Sequence, residues 1–270
     1  MGIAVSERTE NGEVVAYDVS IEIGHNDGVD MSLSGNPTVM SVNNIQVFSL
    51  FRRRRLSTSE ADGNPLIYAL KGLKRYAIND VEKDLMWETA GEIFRSWTCP
   101  WRPTSVVSIP SRHPVSFDLA ARVAAFLEVE HVSTVMVHKR SVAEVLEEAE
   151  ALKGADGVPK RDIKAFKKQL GRLAAAPPGK TFQMKEIDVH VRQYFHPWRV
   201  SEEAKDIIGH DLLLVDDLIG TGASLSTCAK CLVENGHSVV GGMSLFSPLD
   251  RELPKKPKVA RGKRYRGRKP

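Results

Sequence analysis

From residue 104 onward, short apolar segments of the chain alternate with amphipathic segments, and this alternation constrains the fold more than any other feature. Runs that are apolar throughout are typical of parallel strands buried on both faces, because crossover helices cover the two sides of such a sheet. We therefore predict an α/β fold over residues 66–250, with a doubly wound, mostly parallel sheet of about five strands. The predicted strands are 105–109, 132–137, 188–195, 211–215 and 238–246, with a helix at 117–128.

Other segments precede or interrupt this predicted core. Residues 1–65 are predicted to form a strand-rich N-terminal segment, in which 44–51 is the clearest strand. Apolar residues at three- and four-residue steps predict a helix over 80–97. The insertion at 139–185 is acidic in its first half and basic in its second. It is interpreted either as a solvated helical hairpin or as a mobile cover over a site.

Charge is distributed unevenly along the chain. It has 38 Lys and Arg residues against 34 Asp and Glu, a net charge of +4. Residues 251–270 hold ten of the basic residues and one acid, or +9, so the other 250 residues carry −5. We predict a disordered tail that keeps the protein soluble, binds RNA or DNA, or contacts an acidic protein. The candidate nucleic-acid-binding residues are Lys255, Lys256, Lys258, Arg261, Lys263, Arg264, Arg266 and Arg268.

Cysteine content and hydropathy indicate the cellular environment. The three scattered cysteines cannot build a disulfide framework. No run approaches the roughly 18 apolar residues of a membrane-spanning helix, and the first 15 residues lack the apolar core of a signal peptide. We therefore expect a cytoplasmic protein that does not bind a membrane.

The clearest chemical signal lies in residues 212–225, LLLVDDLIGTGASL. An apolar strand runs into Asp216 and Asp217, a glycine-containing loop follows, and an amphipathic helix with Ser224 as its predicted N-cap comes next. Glycine permits backbone conformations that turn successive N–H groups inward, and a helix N-terminus favours an anion. The pattern therefore predicts a cradle for one phosphate.

The two carboxylates add a second recognition element. Carboxylates at a strand end can accept hydrogen bonds from a vicinal diol, so ribose 5-phosphate would span both features. No Lys follows Gly222, which excludes the nucleotide-triphosphatase loop, and Leu225 stands where the dinucleotide fingerprint has its third glycine. A purely structural turn is the remaining alternative.

Residues 215–224 resemble the phosphoribosyl-pyrophosphate (PRPP) signature of type I phosphoribosyltransferases. Further segments are similar to the ComF-type branch of that family, and the resemblance covers about 66–248. Residues 1–60 contain no cysteine, so the zinc ribbon of that branch is missing. The similar segments are 68–71, 105–110, 138–140 and 191–195.

The resemblance implies a role for each matching residue. Two catalytic carboxylates would hold the ribose hydroxyls, directly or through Mg²⁺ and water; a glycine loop would bind the 5-phosphate; and a turn after the first core strand would bind the pyrophosphate. The insertion would take the place of the family's mobile loop, and the chain would form a homodimer or join a larger complex. The two carboxylates are Asp216 and Asp217. The 5-phosphate loop consists of Gly220, Thr221, Gly222, Ala223 and Ser224, and the pyrophosphate turn consists of Pro110, Ser111 and Arg112.

The activity implied is transfer of the phosphoribosyl group from PRPP to a nitrogenous base or amine, with release of pyrophosphate. Two alternatives stay open. The protein could sense PRPP or a nucleotide without turnover. It could also be a nucleic-acid-associated effector, for example a subunit of a retron-type antiphage defence system, that binds RNA or DNA through the basic tail.

Three smaller clusters have two interpretations each. The Cys-x-x-Cys at 228–231 is interpreted as core packing, against a metal or redox site. The arginine run at 52–55 is interpreted as a solvated edge, against a phosphate or nucleic-acid contact. Lys71, Lys74 and Arg75 would either cover the surface or face the leaving pyrophosphate.

Overall fold

A computed structural model describes residues 1–24, 28–54, 64–132, 136–152, 157–202, 204 and 209–250. The strands are β1 (Gly2–Glu10), β2 (Glu13–Glu22), β3 (Val29–Asp30), β4 (Thr38–Val42), β5 (Ile45–Arg53), β6 (Tyr76–Ala77), β7 (Ser105–Ser108), β8 (Glu130–Val132), β9 (Val137–Lys139), β10 (Trp198–Val200), β11 (Asp211–Leu218) and β12 (Ser238–Leu249). The α-helices are α1 (Pro65–Leu70), α2 (Asp80–Ser96), α3 (Val115–Leu127), α4 (Val142–Ala151), α5 (Ile163–Ala174) and α6 (Ala223–Glu234). Short 3₁₀ helices cover Leu33–Gly35, Met184–Glu186 and Val189–Tyr194.

The central sheet is mixed and mostly parallel, as the alternation of strands and helices predicts. Its strand order is β3-β5-β12-β11-β7-β8, with β4 also paired to β5. The five strands from β5 to β8 in this order are parallel to their neighbours, and β3 and β4 run antiparallel to β5. The carboxyl ends of β7 and β11, which precede the predicted binding loops, therefore meet at one edge.

Helices cover both faces of this sheet. Along β11, Leu213 and Val215 pack with helices α2 and α3, whereas Leu212 and Leu214 pack with α6 on the opposite face. This alternation follows from the two-residue period of a strand, and both sets are apolar because neither face meets water. The strands predicted at 211–215 and 238–246 and the helices predicted at 80–97 and 117–128 are confirmed in position.

The strand predicted at 44–51 is confirmed, but its place in the fold differs from the prediction. As β5 it lies beside β12 in the central sheet rather than in a separate N-terminal segment, so the core is not confined to 66–250. Phe51 is fully buried and its ring lies 5.8 Å from that of Phe246 in β12. Only β1 and β2 lie outside the central sheet in this part of the chain, and together with β6 they form a three-stranded sheet.

The prediction of a strand at 188–195 is wrong, because this segment forms a 3₁₀ helix over Val189–Tyr194. Its buried apolar residues, Val191 and Phe195, are four positions apart, which is a helical spacing rather than the two-residue spacing of a strand. The Asp188 carboxylate also accepts a hydrogen bond from the N–H of His190 at 3.1 Å and so caps the turn. Of the strand predicted at 132–137, residues 133–135 lie outside the described residues; Val132 ends β8 and Val137 begins β9.

The charged insertion forms a helical hairpin with its own core, as the first interpretation predicted. Helices α4 and α5 enclose Phe166, Phe182 and Phe195, which are fully buried. Strands β9 and β10 pair antiparallel at its base. At the start of α4, Ser141 and Glu144 cap each other's backbone N–H groups. The insertion is therefore a small packed unit attached to the α6 side of the sheet, where Trp198 joins the sheet's core cluster.

Candidate functional site

The two predicted carboxylates lie at the carboxyl end of β11, at the centre of the sheet. The backbone N–H of Asp217 donates a hydrogen bond to the Asp216 carboxylate at 2.8 Å, and the Asp217 side chain is almost entirely buried. Burial, followed by repulsion from the Asp217 carboxylate, raises the pKa of Asp216 from 3.8 to about 7. Near neutral pH this site therefore holds one proton in equilibrium with the solvent.

Two lysines surround these carboxylates. Lys71, at the end of α1, places its Nζ 2.7 Å from an Asp217 carboxylate oxygen. Lys139, at the end of β9, has a pKa lowered mainly by burial, and the charges of Asp216 and Asp217 oppose that shift. Lys71 and Lys185 add to the lowering by repulsion. Lys71 and Lys139 thus lie within electrostatic range of the carboxylate pair, and Lys185 within range of Lys139, a concentration of positive charge suited to an anionic ligand.

The turn predicted to bind pyrophosphate follows β7, next to this group. The N–H of Ile109 donates to the carbonyl of Val215 at 2.8 Å, which aligns the end of β7 with β11, and Pro110, Ser111 and Arg112 come directly after. His113 shows that the turn is close to the site, because its pKa is lowered by burial and by Lys71 and Arg112, while Asp217 opposes the shift. The structure therefore brings this turn, Lys71 and the carboxylates together.

The predicted phosphate loop has the geometry that its glycines suggest. Gly222 has a φ of 75° and occupies the N-cap of α6, so the helix begins at Ala223 and the predicted N-cap Ser224 lies inside its first turn. A Cβ at position 222 would lie 2.5 Å from a Val42 methyl of β4. Glycine is needed here for its backbone conformation and for the close packing of β4.

A cavity of about 300 Å³ opens beside this loop. The backbone from Gly220 to Leu225 forms one wall and Asp216 another. The helical insertion supplies Met184, Lys185 and Arg192, so two cations face the loop from outside the signature. All five residues predicted to bind the 5-phosphate line this cavity.

Sequence reasoning did not assign roles to Lys139, Lys185 or Arg192. Lys139 lay in a segment that supported the family resemblance, and its place at the end of a strand was the available signal. Lys185 is brought to the loop by packing of the insertion, and Arg192 by the 3₁₀ helix Val189–Tyr194, in a segment that also supported the family resemblance. Arg192 is held by its Nε, which donates to the carbonyl of Ile187 at 2.9 Å.

The remaining sequence candidates separate into structural and undescribed residues. Lys74 donates to the Tyr68 hydroxyl and Arg75 to the carbonyl of Val14, so of the three cations near α1 only Lys71 contacts a carboxylate of the site. Cys228 lies on α6 and is buried in the core between this helix and the sheet, as the packing interpretation predicted. The candidate nucleic-acid-binding residues of the tail, 255–268, lie outside the described residues.

In the arginine run, residues 52–54 make ion pairs and hydrogen bonds within the protein, and Arg55 lies outside the described residues. Arg52 pairs with Asp250 at 2.7 Å and Arg54 pairs with Asp30. Arg53 is buried, and its guanidinium donates to the carbonyls of Ser247 and Ile219. The run therefore ties the end of β5 to β12 and to the residue that precedes the glycine loop.

No family model, curated protein or solved structure matches this chain. The interpretation of the site therefore depends on its residues and their geometry.

In the part of the chain that the structure describes, no helix is long and apolar enough to cross a membrane.

Proposed function

We propose that this protein binds PRPP and transfers its phosphoribosyl group to a nitrogenous base or amine, in the manner of a type I phosphoribosyltransferase. The observation that carries the proposal is the position of Lys71 and Lys139 around the Asp216–Asp217 pair, beside a glycine loop at the N-terminus of α6. Such an arrangement offers carboxylates to a diol, a cradle to one phosphate and cations to a second phosphate group.

Each part of the ligand has a matching set of groups. The ribose hydroxyls are bound by the two carboxylates, and the 5-phosphate is bound by the loop with Lys185 and Arg192. The pyrophosphate on C1 lies towards Lys71 and the turn from Pro110 to Arg112. In the ligand-free protein Lys71 neutralises Asp217, and on binding its ammonium group turns to the pyrophosphate.

The reaction breaks the bond between C1 and the pyrophosphate oxygen and forms a bond from C1 to the acceptor nitrogen. Negative charge develops on the departing pyrophosphate, and fixed cations aimed at that charge stabilise the transition state. The nitrogen loses a proton on attack. That proton passes to the solvent.

Mg²⁺ fits the donor set of this site. Magnesium is usually bound by one or two protein carboxylates together with substrate phosphates and water, and Asp216 and Asp217 supply that number of carboxylates. When bound, Mg²⁺ would neutralise charge on the pyrophosphate and orient it.

The test is calorimetric titration with PRPP and Mg²⁺, followed by a pyrophosphate assay in the presence of candidate acceptors. We expect wild type to bind and Asp217→Asn to lose at least tenfold in affinity. Asp211→Asn, at the opposite end of the same strand, is the matched control and should bind like wild type. Correctly folded wild-type protein that does not bind PRPP would contradict the proposal.

A second candidate function is favoured by the +9 charge of residues 251–270. In this alternative the domain binds PRPP or a nucleotide without turnover, and the tail holds RNA or DNA, as in an effector of a retron-type defence system. Binding through Lys and Arg should fall with salt, with a slope of about −0.9 per phosphate contact on duplex DNA. Replacing the eight candidate tail cations by Gln in the full chain should remove this affinity and its salt slope, and unchanged binding would exclude the tail.

A further inference from the structure

A second cavity, of about 610 Å³, adjoins the cavity of the phosphate loop. The two share Thr221, Ala223 and Arg192 as lining residues. From there the second cavity follows one face of α6, on which Thr227, Lys230 and Val233 recur at helical spacing. The turn between β4 and β5 and the 3₁₀ helix Val189–Tyr194 form its other walls. The pocket at the loop is therefore next to a space about twice its size.

The charges that line the two cavities favour an anion. Among the described lining residues the cations are Lys185, Arg192 and Lys230, and the one acid is Asp216. The Nζ of Lys230 lies 3.3 Å from Nε2 of His196 and 3.7 Å from a carboxylate oxygen of Glu234, which fixes it at the wall. The positive charge thus continues past the loop, beyond the position of a single phosphate.

The second cavity also has an apolar part. Val189 and Val233, from two different helices, are 64% and 56% exposed, and Ile45 and Val239 line the same space. Exposed valines on facing walls of a pocket are suited to the two faces of a flat ring. An anionic group next to a flat apolar group is the chemistry of a nucleotide.

We propose that the second cavity holds the second nucleoside of a pyrophosphate-linked dinucleotide, of the ADP-ribose type, whose ribose 5-phosphate lies in the loop. The shared residues Thr221 and Ala223 are those assigned to the 5-phosphate, so a substituent on that phosphate enters the second cavity. The inference rests on the proposed function, since it takes the loop as the ribose 5-phosphate site. It extends the class of ligand from a free 5-phosphate to a 5-phosphate that carries another nucleotide.

Calorimetric titration of the full chain with ribose 5-phosphate and with ADP-ribose tests this inference. We expect ADP-ribose to bind at least tenfold more tightly. Val233→Trp, which fills the second cavity from its rim, should remove that advantage and leave the ribose 5-phosphate affinity within twofold of wild type. Lys230→Gln should weaken ADP-ribose threefold or more and leave ribose 5-phosphate unchanged. Val81→Trp, at a valine of α2 that is 77% exposed, is the matched control and should change neither affinity.

The possible outcomes separate this inference from the proposed function. If ribose 5-phosphate binds but ADP-ribose binds no more tightly, or if Val233→Trp weakens both equally, the dinucleotide site is wrong and the loop assignment stands. If folded protein binds neither compound, the dinucleotide site is wrong, and titration with PRPP and Mg²⁺ decides the proposed function separately. If a 5′-phosphorylated tetranucleotide binds tenfold more tightly than ADP-ribose and loses that affinity in Val233→Trp, the cavity accepts a nucleic-acid end and the dinucleotide assignment is overturned.

Discussion

The contact between Gly222 and Val42 provides the sharpest test of how the loop is held. Gly222→Ala adds one methyl group at a position where φ is 75° and where the new Cβ would lie 2.5 and 2.6 Å from the two Val42 methyl carbons. Real Cβ contacts are never this short, so either the loop or β4 must move. We expect the substitution to destabilise the protein and to distort the phosphate cradle.

The expected cost has two parts. A left-handed conformation costs an alanine about 1–2 kcal/mol, and overpacking of a well-filled site costs about 1–3 kcal/mol. The free energy of unfolding should therefore fall by about 2–5 kcal/mol, a large share of the typical stability of a domain. On the proposed function the affinity for PRPP should fall as well, because the distorted backbone belongs to the loop proposed to bind the 5-phosphate.

Urea denaturation measures the first effect. Gly220→Ala is the matched control in the same loop, because a Cβ at position 220 meets no described atom within 4 Å, and its stability should change by less than about 1 kcal/mol. Val42→Ala alone should cost about 2 kcal/mol from lost burial. Combined with Gly222→Ala it removes the clash, so the double variant should be about 1–3 kcal/mol more stable than the sum of the single effects predicts.

Two results would refute this reasoning. If Gly222→Ala is as stable as Gly220→Ala, the left-handed conformation and the close approach of β4 do not exist in solution. If the two effects of Val42→Ala and Gly222→Ala are simply additive, the destabilisation comes from the backbone conformation alone and β4 does not pack on the loop.

Three further predictions follow from the site and the insertion. Asp216 has a folded pKa of about 7 against an ordinary value of 3.8, so between these pH values the folded state binds more protons than the unfolded state, and its stability falls as pH rises. Urea denaturation from pH 4 to 8 should show that the stability of Asp216→Asn exceeds that of wild type by an amount that grows with pH, from about 1 to about 4 kcal/mol. A difference that stays constant with pH would contradict the raised pKa. Lys71→Met should cost about 1–3 kcal/mol because it leaves the buried Asp217 carboxylate without its ion pair. Lys83→Met, which loses an exposed ion pair with Asp80, should be nearly neutral in the same denaturation assay. Phe166→Ala should destabilise the insertion by about 3–5 kcal/mol, because it empties the centre of the insertion's core. Hydrogen exchange should then become faster in α4 and α5 while β11 stays protected. Equal loss of protection in β11 would mean that the insertion is not an independent unit.

The strands and helices around the signature could be predicted because their patterns are local. Strands β11 and β12 are continuous apolar runs, and α2 and α3 have a clear helical period, so each segment contains its own signal. The two carboxylates and the glycine loop were found for the same reason. About ten consecutive residues contain both the end of the strand and the N-terminus of the helix, so the groups of the candidate site can be recognised from that one segment.

The errors concern pairing and packing over long distances. The sequence predicts β5 as a strand, but its neighbour β12 lies some 190 residues further on, and neither segment contains a signal that the two strands pair. At 188–195 the apolar content predicts a strand, but the buried apolar residues have a four-residue spacing and the segment is a 3₁₀ helix. Lys185 and Arg192 reach the loop only because the insertion packs there, and tertiary packing of that kind leaves no local pattern.

The position of β12 between β5 and β11 has a consequence for synthesis of the chain. Proteins are made from the N-terminus, and β12 is the last of the described strands to leave the ribosome. Until then β5 and β11 each present an open edge, which is a template for unwanted pairing with other chains. Arg53 also waits for its hydrogen-bond partner Ser247 in β12, and Arg52 waits for Asp250, the residue that follows β12. The nascent protein therefore carries a risk of aggregation in the interval before β12 is made, and a brief delay in making residues 238–249 would prolong that interval.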